Sequence, residues 1–225
     1  MKTYRTKAIV LRRTSYGEAD RVVQFLTPEH GIISVMARGV RREKSKLSGG
    51  IELFARSDIT VGQGKGELGI LTSARLEKFY SRILSNYERM QFGYDAIKQV
   101  SKVASQLDDK GFFTLLDETL SFLDNEEVDI RIIKAWFWLQ LAILAGYGMN
   151  LSTDDNGMKL VEDARYNFSS ADQVFVYNEN GNYSSDHIKF LRILSAQPPN
   201  VAQQVRGYSR FADKILHVAE QAVAR

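Results

Sequence analysis

Apolar and polar residues alternate in short runs over the first third of the chain, and turn residues separate these runs. β-branched and aromatic residues dominate them, which is typical of strands. Pro28 and Gly31 mark one of the turns. Five runs are predicted as strands: TKAIVLRR (6–13), DRVVQFLT (20–27), GIISVMARG (31–39), IELFARSDITVGQ (51–63) and ELGILTSARLEK (67–78). Short strands with no helix between most of them predict a small barrel or sandwich.

The spacing of apolar residues changes to three and four near residue 79. One helix face is predicted from Phe79, Ile83, Tyr87, Met90, Tyr94 and Ile97. Residues 111–125 predict a second helix and residues 128–148 a third. The third is apolar on nearly all sides, so we expect it at the centre of a helical bundle. Gly146 and Gly148 mark its predicted end.

The last third of the chain is more polar and irregular. Residues 150–185 are rich in turn residues, with one strand-like run at 173–177. Residues 184–195 predict a short helix that begins with serine caps. The proline pair at 198–199 breaks the chain, after which Asn200 is expected to cap a single final helix.

This pattern predicts two domains, and the charge divides in the same place. The predicted β domain covers residues 1–80, and a helical domain covers residues 81–225. Residues 1–82 hold 16 Lys and Arg against 8 Asp and Glu, a net of +8. Residues 83–225 hold 14 against 19, a net of −5. A basic first third joined to an acidic remainder suggests two units with different partners.

Composition removes several classes of protein. The chain has no cysteine, which excludes disulfides and zinc–thiolate sites and agrees with a reducing compartment. The apolar run at 8–11 is too short for a signal peptide. The longest apolar stretch, at 135–149, is too short for a membrane span and contains Gln140. We therefore expect no membrane association.

Motifs of common enzymes are missing from the sequence. No GxSxG, HExxH or P-loop occurs, and the three histidines lie far apart. The stretch GKGELG (64–69) matches the G-x-G-x-x-G pattern, but a strand-like segment follows it where a dinucleotide site needs a helix. We interpret it as a hairpin turn. Asp154, Asp155, Asp186 and His187 carry potential metal ligands, but their spacing matches no metal motif.

A basic loop is predicted between the third and fourth strands, in MARGVRREKSKLSGG (36–50). Its five cations are Arg38, Arg41, Arg42, Lys44 and Lys46, and its one acid is Glu43. Clustered cations repel one another, and a polyanion with regular phosphates would relieve that repulsion. The alternative is a solvated loop that only aids solubility.

The ends of the predicted strands add to this charge. Arg12 and Arg13 end the first strand, and Arg21 begins the second. If the strands form a barrel, these residues and the basic loop converge on one face. Tyr16, in the turn SYGEAD, would then offer a stacking surface or simply pack the turn. Cations with aromatic platforms are how single-stranded nucleic acid is held without sequence readout.

A second candidate surface lies on the predicted helix at 184–195. Ile188, Leu191 and Leu194 fall beside the cation Arg192. One interpretation is a groove for a partner peptide with apolar and acidic groups. The other is a helix that faces the protein core with its cations in solvent.

One family matches this arrangement. The run AIVLRRTSYGEADRVVQFLTPEHGIISVMARGVRREKSKLSGGIELF resembles the N-terminus of the RecO family of bacterial recombination mediators. Paired basic residues end a strand, then come YGEADR, a strand, TPEHG, and ARGVR with its basic stretch. GQGKGELGILTSARL is similar to the family's next hairpin, and LAGYGMNLS (144–152) to its helix-to-loop junction. The resemblance covers residues 6–78, extends through residue 152 and fades thereafter.

The resemblance implies an α+β multi-domain fold, with a five-stranded OB-fold β-barrel followed by an α-helical domain. It implies a protein of DNA repair and recombination that is not an enzyme. Such a protein binds single- and double-stranded DNA, promotes strand annealing and needs no cofactor. Its implied partners are RecR, the tail of the single-strand-binding protein and, functionally, RecA, whose loading on single strands it helps. The implied location is cytoplasmic and nucleoid-associated. DNA contact is implied for Arg12, Arg13, Arg38, Arg41, Arg42, Lys44 and Lys46.

The chain departs from the family in one region. Many members carry a four-cysteine zinc module after the helix-to-loop junction, whereas residues 150–185 contain no cysteine here. We therefore predict a zinc-free insert with no metal. Two other functions stay open on charge and fold alone. One is an OB-fold protein that binds RNA, and the other is a protein-interaction scaffold whose basic loop is incidental.

Overall fold

A computed structural model describes residues 3–64, 66, 68–107 and 109–223. The chain forms two compact units, residues 1–124 and residues 125–225. The first unit holds the β domain together with the two helices that follow it. The sequence predicts a different boundary, near residue 80, between a DNA-binding domain and a helical domain. That functional division stays a prediction.

The first unit is built on a closed five-stranded barrel. Its strands are β1 (Thr3–Tyr16), β2 (Asp20–Thr27), β3 (Gly31–Ala37), β4 (Ala55–Gly62) and β5 (Gly69–Phe79). The order around the barrel is β1-β2-β3-β5-β4, in which only the short β3–β5 pairing is parallel. This is an OB-fold, and the predicted five-stranded barrel is confirmed. The β4–β5 pairing also confirms a hairpin around 63–68, although Lys65 and Glu67 lie outside the described residues.

Apolar side chains at alternate positions fill the barrel. Val10, Val23, Phe25, Val35 and Ile59 are among its fully buried residues. The pairing of β1 with β2 shifts between Val10 and Arg12. Without this bulge Arg12 would follow Val10 into the barrel, because alternate residues share a face. The bulge re-aims the strand, so that Arg12, Thr14 and Tyr16 lie on its outer face.

Two helices complete the first unit: α1 (Tyr87–Ala104) and α2 (Gly111–Leu123). The predicted helix start near Phe79 is wrong. Phe79 ends β5 and pairs with Ala55, and Ile83 lies in a 3-10 turn at Ser81–Ser85. The helix begins at Tyr87 because the Asn86 side chain caps it, accepting the N–H of Arg89, one of the free N–H groups of the first turn.

The second unit packs helices around α3 (Ile130–Leu144). The others are α4 (Ser185–Ala196), α5 (Pro199–Ala202) and α6 (Ala212–Val223), and α3 contacts all of them. The predicted central position of α3 is therefore confirmed. The single final helix from Asn200 is wrong. Gly207 adopts a φ of +80° and a 3-10 turn at Tyr208–Arg210 follows it, so the segment is broken into α5 and α6.

A small antiparallel sheet occupies the region where a zinc-free insert was predicted. Its order is β7-β6-β8, formed by β6 (Arg165–Ser169), β7 (Val174–Tyr177) and β8 (Tyr183–Ser184). Only β7 was predicted from the sequence. None of the described helices is both long enough and apolar enough to cross a bilayer.

The two adjacent glycines after the basic loop differ in their surroundings. A Cβ at Gly50 would lie 2.6 Å from the backbone of Ala74 in β5, whereas a Cβ at Gly49 would meet nothing within 4 Å. We expect Gly50→Ala to destabilise the first unit by about 1–3 kcal/mol, since the strand must move. Gly49→Ala is the matched control and should stay close to wild type in urea denaturation. Equal stability of the two variants would contradict the close approach.

His187 makes the stability of the second unit depend on pH. The ring Nδ1 of His187 accepts a hydrogen bond from the Ser184 N–H at 3.2 Å. Ser184 is the N-cap residue of α4, in agreement with the predicted serine cap, and this bond completes a reciprocal capping box. Burial, together with Lys214, lowers the pKa of His187. The unfolded chain therefore takes up the proton first, and stability should fall as pH drops through about 6.5. His187→Gln keeps the cap without titrating, so its thermal midpoint should fall less between about pH 7.5 and 5.5. Parallel losses in both proteins would contradict this.

Candidate nucleic-acid interface

Three hydrogen bonds hold the basic loop against the turn between β1 and β2. The Gly39 N–H donates to Asp20 Oδ1 at 2.7 Å. The Arg41 N–H donates to the Ala19 carbonyl at 2.9 Å. The Arg41 guanidinium donates from Nη1 to the Gly17 carbonyl at 3.3 Å. We call these contacts the loop–turn clamp. They fix the start of the loop beside the end of β1.

The loop itself is folded rather than extended. The Arg42 N–H donates to the Gly39 carbonyl at 3.1 Å, and the Ser45 N–H donates to the Arg42 carbonyl at 3.0 Å. Gly39 adopts a φ of +63°, which a residue with a side chain rarely does. Val40 is buried in the barrel core, while Arg41 and its neighbours are exposed. Val40 therefore anchors the loop to the barrel core, while the cations of the loop face solvent.

The barrel brings the other predicted cations to the same end. Arg21 pairs with Ser15 on one side and with Ala37 on the other, next to the start of the loop. Arg12 and Tyr16 share the outer face of β1, and Tyr16 is followed directly by the clamped turn. Tyr16 is 60% exposed, so its ring is open to solvent. Arg21 lies at the same end of the barrel as the loop, but its pairing with the core residue Ala37 places it on the opposite face of the sheet from Arg12 and Tyr16. The convergence of all these cations on one DNA-binding face stays a prediction.

Some cations elsewhere on the barrel are paired with the protein's own acids, whereas Arg75 and Lys78 on β5 have no carboxylate within ion-pair distance among the described residues. Arg5 pairs with Asp58, and its hydrogen bonds lower the pKa of that carboxyl. Arg56 lies 3.2 Å from Glu77 and 2.5 Å from Asp117. In the described part of the chain, seven of the predicted cations have no carboxylate within ion-pair distance: Arg12, Arg21, Arg38, Arg41, Arg42, Lys44 and Lys46. No ion pair within the described part of the chain neutralises their charge.

Arg13 differs from the other predicted cations. Its Nη1 lies 2.8 Å from Glu52 and 3.3 Å from the Ile51 carbonyl, and only 23% of its side chain is exposed. Arg13 is paired with the core residue Val23 of β2, so the two side chains lie on the same face of the sheet. Arg13 therefore closes the end of the barrel and offers less free charge than Arg12.

The proposed peptide groove on α4 is mostly occupied by the protein itself. Leu191 and Leu194 are fully buried and belong to the core. Ile188 and Arg192 line a small pocket of about 220 Å³, and Arg192 donates to the Leu151 carbonyl at 2.8 Å. The burial of these leucines favours the alternative interpretation, a helix that faces the protein core.

Candidate metal ligands are not brought together. Among the described residues, no group of three or more histidine and acidic side chains is arranged to hold a metal ion. Asp154 Oδ1 instead accepts the N–H groups of Asn156 and Met158, and His187 caps α4.

Sequence reasoning missed Asp20. The residue lies in YGEADR, where a carboxylate directly after a turn is a visible but unspecific signal. Its partner, Gly39, is 19 residues away, and only the pairing of β2 with β3 brings the two together.

Comparisons with known proteins agree on one family. Residues 1–80 match the family model described as recombination protein O N terminal. A DNA repair protein RecO of Rubrobacter xylanophilus is 31% identical over 151 residues, covering 67% of this chain and 60% of that protein. RecO proteins from two strains of Dehalococcoides mccartyi are 31% and 32% identical over 145 residues, covering 64% of this chain and 56% of each relative. The chain spans 60% or less of the length of these relatives.

Removing the Asp20 carboxylate should release the basic loop. We expect Asp20→Ala to speed amide hydrogen exchange at Gly39 and Arg41 by roughly tenfold or more, since the variant cannot form this charge-assisted hydrogen bond. Asp20→Asn keeps an oxygen acceptor and should retain most of the protection. Slow exchange in Asp20→Ala would show that the clamp does not depend on this side chain.

Proposed function

This chain carries the N-terminal domain of the RecO family in residues 1–80, and from this premise we propose that it acts in DNA repair and recombination by binding DNA at the basic end of its barrel. The single observation that carries the proposal is the sorting of charge. Arg5, Arg13 and Arg56 are paired with acids. Among the described residues, the five loop cations, Arg12 and Arg21 have no carboxylate within ion-pair distance. A phosphate backbone supplies the missing anions.

Binding of this kind depends on the backbone of DNA and reads little of its sequence. Arg38, Arg42, Lys44 and Lys46 are exposed on a folded loop and can each meet a phosphate. Tyr16 adds a stacking surface beside them, and every base has a face that can stack. The same charges can hold a single strand or the backbone of a duplex. We therefore propose that the protein binds both forms.

Annealing follows from the same electrostatics. Two complementary strands repel each other through their phosphates. DNA strands held on a cationic surface repel each other less, because cations of the protein replace the counterions and neutralise the phosphates. We propose that pairing is accelerated in this way, with no chemical step and no catalytic residue.

The remaining parts of the proposal rest on the family relationship. We propose that residues 81–225, with the metal-free insert at 150–185, serve contacts with RecR and with the tail of the single-strand-binding protein. Loading of RecA on single strands would be the outcome of these contacts. With DNA as the partner, we propose a cytoplasmic, nucleoid-associated location.

The proposal is tested by removing loop charge while keeping the loop–turn clamp. Arg38, Arg42, Lys44 and Lys46 are replaced together by Ala, and Arg41 is retained because it contacts Gly17. We expect weaker binding of a labelled single strand of about 30 nucleotides, which exceeds one OB-fold site. The slope of log affinity against log salt should decrease by roughly 0.7 for each phosphate that the variant no longer binds, or about 2.8 for four. Fluorescence anisotropy across a salt series measures both.

The control removes the exposed cations Lys110 and Lys159, which lie outside the barrel strands and the basic loop. It should keep the wild-type slope. An unchanged slope in the loop variant would contradict the phosphate contacts. Preferential binding of a matched RNA strand would favour an RNA-binding protein. Absence of nucleic-acid binding in the wild type, with binding to an acidic protein tail, would favour an interaction scaffold.

A further inference from the structure

A cleft of about 480 Å³ separates the barrel from helix α1 within the first unit. Arg12 and Gln24, paired across β1 and β2, line its barrel side. Tyr94, Lys98 and Ser101 line its helix side together with Ile97. This volume falls within the range of roughly 300–1,000 Å³ that is typical of small-ligand sites. The whole helix side lies beyond residues 1–80, which match the RecO N-terminal model.

Two local features create the cleft. The bulge in β1 turns Arg12 outward, towards the helix side of the barrel. Phe54 packs its ring against Gly93, where a Cβ would lie 2.8 Å from the ring. This close approach seats α1 on the barrel. Residues 94, 97, 98 and 101 then share one helix face, because they are three and four positions apart.

The charge of the cleft favours an anion. Arg12 and Lys98 are exposed, and within the described residues neither lies within ion-pair distance of a carboxylate. Arg13 lines the cleft too, but Glu52 neutralises it. No acidic side chain is among the described residues that line the cleft. A phosphate between Arg12 and Lys98 would relieve their repulsion.

The cleft also offers a fixed aromatic surface. The Tyr94 ring packs against Phe54, with ring centroids 4.8 Å apart, and Tyr94 stays 42% exposed. Phe54 is itself buried, so it holds the tyrosine ring in place. A ring already fixed loses little freedom when a planar group packs on its open part. Ile97 adds an apolar wall next to it.

The cleft continues the surface assigned to DNA. Arg12, Thr14 and Tyr16 follow one another on the outer face of β1. Four residues of strand span about 13 Å, so Arg12 lies that far from Tyr16 and the clamped loop. A DNA strand that runs from the basic loop along β1 therefore reaches the cleft.

We propose that this cleft binds one nucleotide of the single-stranded DNA held by the basic loop, with a phosphate between Arg12 and Lys98 and the base against Tyr94. The proposal rests on the proposed function, since it extends the same DNA path. It assigns two residues of α1, Tyr94 and Lys98, to that path.

Photo-crosslinking tests the placement separately from affinity. The probe is a thymidine oligonucleotide of about 30 nucleotides in which some bases are 5-iodouracil, long enough for more than one site. Mass spectrometry of peptides from the crosslinked protein locates the crosslinks. We expect a crosslink at Tyr94 that is retained in Tyr94→Phe. Lys98→Ala should reduce it, while Lys102→Ala, one turn further along α1 and outside the cleft, should not.

Affinity gives a second readout. Tyr94→Ala should weaken binding of this oligonucleotide about tenfold, the typical effect of losing one stacked base. Tyr94→Phe should bind like the wild type. Lys98→Ala should reduce the salt slope by roughly 0.7, the value for a single phosphate.

The outcomes separate the two proposals. DNA binding with crosslinks at Tyr16 and the loop, but none at Tyr94, would overturn the cleft and leave the proposed function standing. Failure of the wild type to bind the oligonucleotide would overturn both. Loss of the Tyr94 crosslink on adding an acidic peptide, while the DNA stays on the loop, would assign the cleft to a protein partner and overturn the nucleotide site.

Discussion

The hydrogen bond from the Gly39 N–H to the Asp20 carboxylate is the contact on which the candidate interface depends. Five cations between Arg38 and Lys46 repel one another, and an unrestrained loop would spread them through solvent. Asp20 ties the first turn of the loop to the β1–β2 turn, and buried Val40 anchors it to the barrel core. The repulsion is thereby kept at one place, where an external anion can relieve it.

The remainder of the barrel makes this local charge effective. Arg5, Lys7 and Arg56 lie beside Asp58, Glu77 and Asp117, so that part of the charge of β4, β5 and the start of β1 is cancelled. The net charge of the whole chain is only +3, too small to attract a polyanion by itself. The proposed DNA binding therefore depends on the local cluster of unpaired cations in the loop and not on the net charge. The cleft beside α1 extends the unpaired set from the loop along the outer face of β1.

The strands were predictable because each has one face in the barrel core, and this burial imposes the alternation seen in residues 20–27 and 31–37. The basic loop was predictable because it is continuous in sequence. The helix start was not, since Phe79 and Ile83 happen to continue the spacing of α1 while β5 pairs through Phe79. Likewise the break at Gly207 was not predictable, because the apolar residues on both sides of it keep helical spacing.

The three-dimensional part of the site lay beyond sequence reasoning. Asp20 bonds to Gly39 only because strand pairing brings the two residues together. Arg12 faces outward only because of a bulge, which the neighbouring residues in the sequence do not predict. Simple alternation from Val10 would have placed Arg12 inside the barrel. Tyr94 and Lys98 looked like ordinary positions of an amphipathic helix, and only the packing of Phe54 on Gly93 brings them to the cleft.

The most direct measurement uses the unaltered protein. Lysines are acetylated briefly with and without a saturating single strand of about 30 nucleotides at low salt, and each site is quantified by mass spectrometry. We expect DNA to protect Lys44 and Lys46 strongly, while Lys110 and Lys159 react as before. Equal modification of all four lysines with DNA bound would contradict the claim that the basic loop holds the phosphates.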